Sequence, residues 1–152
     1  MAAPKKIKGG LIRITDTTVA TTTDLELEIS ANKVRNLNQD DVYVEMDLTT
    51  AKQVNLTLPP ISSFNGLLNL NVWVSDIKGT VDLTNNLTIK VAVGSGDTIG
   101  GQEEVSLVGK FSGMYLTPLS TTQWGTFYTQ NFSRKQASIP VDAELPVFKP
   151  LP

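Results

Sequence analysis

The chain has no cysteine and no histidine among its 152 residues. Disulfide staples, thiolate metal centres and mechanisms that move protons on imidazole are therefore outside its chemistry. No stretch approaches the ~20 consecutive apolar residues of a membrane-spanning helix. The basic start, MAAPKKIKGG, has no apolar segment behind it, so it does not read as a secretory signal. The expectation is a chain made in a cytoplasm and soluble there, with no membrane partner. Neither sign of charge prevails: a net charge of −2 and a pI of about 5.1 argue against duplex nucleic acid as a partner. Aromatic residues are scarce at 7%, so the placement of each one carries information.

What is present is alternation. Leu25, Leu27 and Ile29 alternate with Glu26 and Glu28, although Leu and Glu by themselves also favour helix. Val42, Val44, Met46 and Leu48 alternate with Tyr43, Glu45 and Asp47, and Val54, Leu56 and Leu58 with Asn55 and Thr57. Similar runs cover Leu68–Val74, Leu87–Val93, Val105–Val108 and Tyr115–Leu119, and Leu11–Thr15 is a further short candidate. A period of two means a strand with one buried face. The spacing predicts an all-β chain of about eight short strands, arranged as an antiparallel β-sandwich or jelly-roll-like module. Pro59 and Pro60 donate no backbone N–H, so the strand before them must stop there or reach an edge. Thr49–Gln53 is expected to turn Val42–Leu48 back on Val54–Leu58 as a hairpin. Thr15–Thr23 reads as turn or edge, and Ala31–Asp41 as an Asn- and Asp-rich loop.

The length fits one domain, with boundaries at 1–10 for a flexible basic N-terminal arm, 11–128 for the β-module and 129–152 for a Pro-rich extended C-terminal arm. Pro140, Pro146, Pro150 and Pro152 alternate with singly placed apolar residues in this last segment. Proline at that density excludes helix and central strand and favours extended polyproline conformation. An arm lying in a groove of a neighbouring subunit is the functional reading; a tail packed on its own domain or disordered is the other.

The catalytic options are thin. Gly94-Ser-Gly-Asp-Thr-Ile-Gly100 lacks the Gly-Lys-Ser/Thr of a phosphate loop, and the next lysine is Lys110. Ile99 stands where a dinucleotide fingerprint needs its third glycine, so turn glycines are the simpler account. Glu103, Glu104, Asp76, Asp82 and Asp97 offer carboxylates, but nothing marks the cleft that a glycoside-cleaving pair requires. Calcium at Asp97 lacks an EF-hand ladder. No cofactor and no metal site is expected, and the chain reads as non-enzymatic.

Trp73, Trp124, Tyr115, Phe127 and Tyr128 could form a stacking surface for a sugar. By parity Trp73 lies on the opposite face from Leu70 and Val72, and a protein interface is the preferred use of that face. The candidate interface residues are Trp73, Trp124, Tyr128, Ile139, Val141, Val147 and Phe148.

The order of these features resembles a β-module of bacteriophage virion proteins, found in tail-fibre, tail-spike and head-fibre chains. The matching residues are Leu56 to Pro60, the Asn85-Asn86 pair before Leu87–Val91, Gly96-Asp-Thr-Ile99 and Trp124. The match covers about half of the chain and carries no catalytic residue; beyond Gly101 the acidic Gln-Glu-Glu departs from it. The resemblance implies a virion structural protein, synthesised in the host cytoplasm, that binds other capsid or tail proteins and self-associates as a trimer. With one module and no internal repeat, a capsid-decorating or head-fibre role is expected. The alternative is a tail-fibre or tail-tip module that binds a receptor, with a host-surface glycan as ligand.

Overall fold

A computed structural model describes residues 3–29, 41–63 and 70–129. Within them the alternating runs become strands: β1 Lys5–Lys8, β2 Leu11–Thr15, β3 Asp24–Glu28, β4 Asp41–Asp47, β5 Val54–Thr57, β6 Asn71–Asp76, β7 Leu87–Lys90, β8 Thr98–Ile99, β9 Glu104–Leu107, β10 Gly113–Pro118 and β11 Gln123–Thr129. A 3-10 turn at Ile61–Ser63 is the one helical element among the described residues, and it follows Pro59 and Pro60 where β5 was expected to end. No helix there is long and apolar enough to cross a membrane. The described residues are thus mostly strand, with almost no helix.

The expected antiparallel sandwich or jelly roll of about eight strands is overturned, with eleven strands among the described residues and parallel pairing in both sheets. Two mixed sheets are present, ordered β1-β3-β5-β7-β9 and β2-β4-β6-β10-β11-β8. In the first, β1, β3, β5 and β7 pair in parallel, and only β9 runs against its neighbour. In the second, β2, β4 and β6 are parallel, β10 and β11 are antiparallel additions, and β8 lies parallel to β11. From β1 to β7 each strand lies in the other sheet from the one before it. Successive pairs β1/β2, β3/β4 and β5/β6 therefore stack as rungs, and the later strands close the stack. The hairpin expected between β4 and β5 is absent for this reason: the two belong to different sheets. Lys5–Lys8, expected as part of a flexible arm, is an edge strand along β3. Its lysines discourage further pairing at that edge.

Both sheets turn their apolar rows toward each other. Leu25, Leu56 and Ile89 line up in the first sheet, and Ile12, Val44, Val74 and Met114 in the second. All join one buried cluster with Leu48, Leu58, Ile61, Leu70 and Trp124. Burial of each such side chain contributes about 1.5–3 kcal/mol, and this is what holds the layers together. The chain passes from β1 to β2 through Gly9-Gly10, and the Gly10 carbonyl accepts the Tyr43 amide at 2.7 Å, which fixes the first rung on the second.

Turn chemistry follows the sequence. Thr15 and Thr18 bond each other's amides at 3.0 and 3.3 Å. Gly94 and Gly96 both take φ of 78°, the left-handed region that glycine enters without steric cost. Asp16 ties the turn after β2 to the one after β4 by accepting the Thr49 hydroxyl and amide. That hydroxyl holds the Asp16 carboxyl below its usual value.

Candidate functional site

The two outer faces of the sheets differ in kind. On the first sheet, Lys6, Glu26, Thr57, Lys90 and Glu104 stand side by side across five strands. Beside them runs a polar row of Asp24, Asn55, Thr88 and Ser106, linked by Asn55 Nδ2 to Asp24 Oδ1 at 2.8 Å and by Thr88 and Ser106 hydroxyls at 3.0 Å. That face is built for water.

On the second sheet, the matching position is apolar from one edge strand to β11. Leu11 pairs Tyr43, Tyr43 pairs Trp73, Trp73 pairs Tyr115 and Tyr115 pairs Phe127. The row arises because alternation buries Val42, Val44, Val72, Val74 and Leu116 and sends the residues between them outward. Tyr43 and Trp73 stack with ring centres 6.4 Å apart and planes 11° apart; Trp73 and Tyr115 are 4.5 Å apart and Tyr115 and Phe127 6.2 Å. Such cross-strand aromatic pairs stabilise the sheet itself by a few tenths to one kcal/mol each. Yet Trp73 remains 43% exposed and Phe127 72%. Large apolar area is left in water across five strands, aromatic on four of them, and exposed patches of this kind are candidate contact surfaces.

Each side of the row has its own chemistry. Toward the start of β4, Asn71 Nδ2 donates to Asp41 Oδ1 at 2.7 Å, the Tyr115 hydroxyl donates to Asn71 Oδ1, and the Tyr43 hydroxyl donates to Asp41 Oδ2 at 3.3 Å. Desolvation of the phenol, and then the Asp41 charge, hold the Tyr43 hydroxyl above its ordinary value of 10.0. A spectrophotometric titration, with Tyr43→Phe to assign the signal, is expected to show Tyr43 ionising above that value. Asp41→Asn should bring the midpoint down, and an unchanged midpoint would refute the coupling. On the other side, Arg13 Nε meets Glu45 Oε1 at 3.0 Å. The same register continues into the small residues Ser75, Gly113 and Thr129. Because these lack bulk, a groove of about 430 Å³ opens beside Trp73 and Tyr115, bounded by Phe127, Tyr128 and Thr129.

Of the candidate interface residues, Trp73 lies in this row. Tyr128 lines the groove and is 64% exposed, although its register sets it beside the inward Met114. Trp124 is corrected: it is fully buried in the core and offers no surface. Ile139, Val141, Val147 and Phe148 lie outside the described residues. Tyr115 and Phe127, weighed as stacking residues, belong to the row. Tyr43 and Leu11 were missed, although Tyr43 was legible from its place between inward Val42 and Val44.

The acidic candidates are separate turn fittings. Asp76 accepts four backbone amides, Asp82 accepts those of Thr84 and Asn85, and Asp97 Oδ2 accepts that of Ile61 at 2.9 Å. Glu103 and Glu104 are exposed. Among the described residues no three acidic side chains gather as metal ligands. No known family model and no curated protein matches this chain.

Proposed function

We propose that this chain is a non-enzymatic structural protein of a tailed-phage virion, of the capsid-decorating or head-fibre kind. It self-associates, as a trimer by analogy with the module it resembles, and holds neighbouring virion subunits through the outer face of the second sheet. The observation that carries the adhesive reading is the row Leu11, Tyr43, Trp73, Tyr115 and Phe127 on one outer face, set against a wholly polar row on the other. The virion assignment rests on the sequence resemblance alone. Exposed aromatic side chains supply large contact area for few rotatable bonds, which is why they recur at interface centres.

Trp73→Ala removes the centre of the row without touching the core. Sedimentation equilibrium is expected to show self-association weakened at least about tenfold, as for a central aromatic anchor, while loss of the two ring pairs lowers the melting temperature by only a few degrees and leaves the chain folded. A wild-type chain that stays monomeric at every concentration, or a variant that associates equally well, would overturn the reading. Cryo-electron microscopy of a particle carrying the chain would test its place on the virion.

A second reading is a tail-tip module that binds a glycan. The observation in its favour is the stacked aromatic row with Asp41 and Asn71 along its edge. Glycan-array binding lost in Trp73→Ala, while self-association persists, would decide for it.

A further inference from the structure

We infer that the groove beside Trp73 and Tyr115 receives the Pro-rich C-terminal segment, residues 139–152, of a neighbouring copy of this chain. The inference rests on the reading of the second sheet's outer face as the self-association surface and names what that surface holds.

Three observations converge on this occupant. The groove walls are the rings of Tyr43, Trp73, Tyr115, Phe127 and Tyr128, and its floor opens because Gly113 and Ser75 are small. Aromatic-lined grooves of this kind take extended proline-rich segments, whose preformed backbone loses little entropy on docking. The chain carries such a segment, Ile139-Pro-Val141 and Leu145-Pro-Val-Phe148 followed by Lys149-Pro-Leu-Pro152. Second, the polar groups beside the row are already engaged: Asp41 with Asn71 and Tyr43, Asn71 with Tyr115, and Arg13 with Glu45. A segment that presents Leu145, Val147 and Phe148 to the rings leaves those bonds intact, with Asp142, Glu144 and Lys149 free to stay in water, whereas a hydroxyl-rich sugar must compete for them. Third, the groove is bounded by Thr129, the last residue of β11, so departing chain and receiving groove share one face.

A neighbouring copy fits better than the same chain. A segment folded back on its own groove would cover the outer face through which copies are proposed to associate, so on that reading the occupant is a neighbour's segment. Residues 130–152 in polyproline form span up to ~70 Å, ample to reach an adjacent copy. Each copy then gives a segment and receives one, a heterologous contact that closes on itself in a ring.

The test compares full-length chains by sedimentation equilibrium. Val147→Ser with Phe148→Ser is expected to weaken self-association about tenfold while leaving the circular dichroism spectrum and melting temperature in place. Combined with Trp73→Ala, the triple variant should associate no more weakly than Trp73→Ala alone, because segment and groove are one interaction. If the serine variant proves insoluble, Pro146→Ser with Pro150→Ser loosens the segment and should give a smaller loss in the same direction. Unchanged association in the segment variants, with Trp73→Ala still weakened, would overturn this inference and leave the contact surface standing. Tighter association would overturn it too, showing that the segment shields its own groove. If Trp73→Ala has no effect either, the surface reading falls with it.

Discussion

Replacing Asp76 by alanine is expected to lower folding stability by roughly 3–5 kcal/mol, since several charge-assisted hydrogen bonds worth ~1.5–3 kcal/mol each are lost together and overlap in effect. Asp76 ends β6 and is 2% exposed. Its Oδ1 accepts the amides of Gly79 at 2.9 Å and Thr80 at 3.3 Å, and its Oδ2 those of Val81 at 3.1 Å and Phe111 at 3.0 Å. One carboxylate thus holds the turn after β6 against the turn before β10. Phe111 sits in that second turn at φ 58°, and its ring covers Gly79 so closely that a Cβ there would come within 2.3 Å. A non-glycine residue in the left-handed region persists only where its surroundings impose it. Without the Asp76 acceptor one constraint on Phe111 goes, and the buried Val81 amide loses the acceptor it bonds. Asp76→Asn should fall between, since its amide nitrogen presents hydrogens to two donors. Thermal denaturation reads the loss as a drop on the order of 10 °C for a chain of this size. A shift corresponding to under about 1 kcal/mol would show that water replaces the carboxylate.

The second large effect is at Trp124. Trp124→Ala is expected to cost about 3–5 kcal/mol through the cavity it leaves. The indole is fully buried where β8, β10 and β11 meet; its backbone pairs Ile99 on one side and Pro118 on the other, and its carbonyl accepts the Gly100 amide at 3.0 Å. Trp124→Phe, which fills part of the space, should cost about 1–2 kcal/mol and keeps the test usable if the alanine variant does not fold. Self-association of the Phe variant is expected to match the original chain. That outcome would separate the two tryptophans, with Trp124 supporting the fold and Trp73 the proposed contact. A Phe variant that keeps its melting temperature and loses association would reverse the assignment.

The strands were legible because period-two burial is a local signal. Val42, Val44, Met46 and Leu48 are all buried, as their spacing predicts. The direction of pairing was not legible. Parallel strands usually read as continuous apolar runs because helices cover both faces of their sheet. Here each sheet is covered on one side only, by the other sheet, so parallel strands alternate just as antiparallel ones do. Turn residues such as Thr49–Gln53 mark where the chain bends, and they do not say whether it returns beside the strand it left or crosses to the facing layer. The same limit hid the site. Parity exposed Trp73 within its strand, but joining it to Tyr43, Tyr115 and Phe127 requires the register across four strands. Trp124 was misplaced because only tertiary packing decides that its side of β11 faces the core.

The stacked winding gives this architecture an unusual way to grow. One more strand pair spliced between β4 and β5 would occupy a new level in both layers and leave the closing strands β8 to β11 untouched. Each such duplication would lengthen the aromatic track by one ring, about 4.8 Å, and widen the exposed apolar face in fixed steps. Gene-level repetition would then extend both layers without redesigning either end of the molecule.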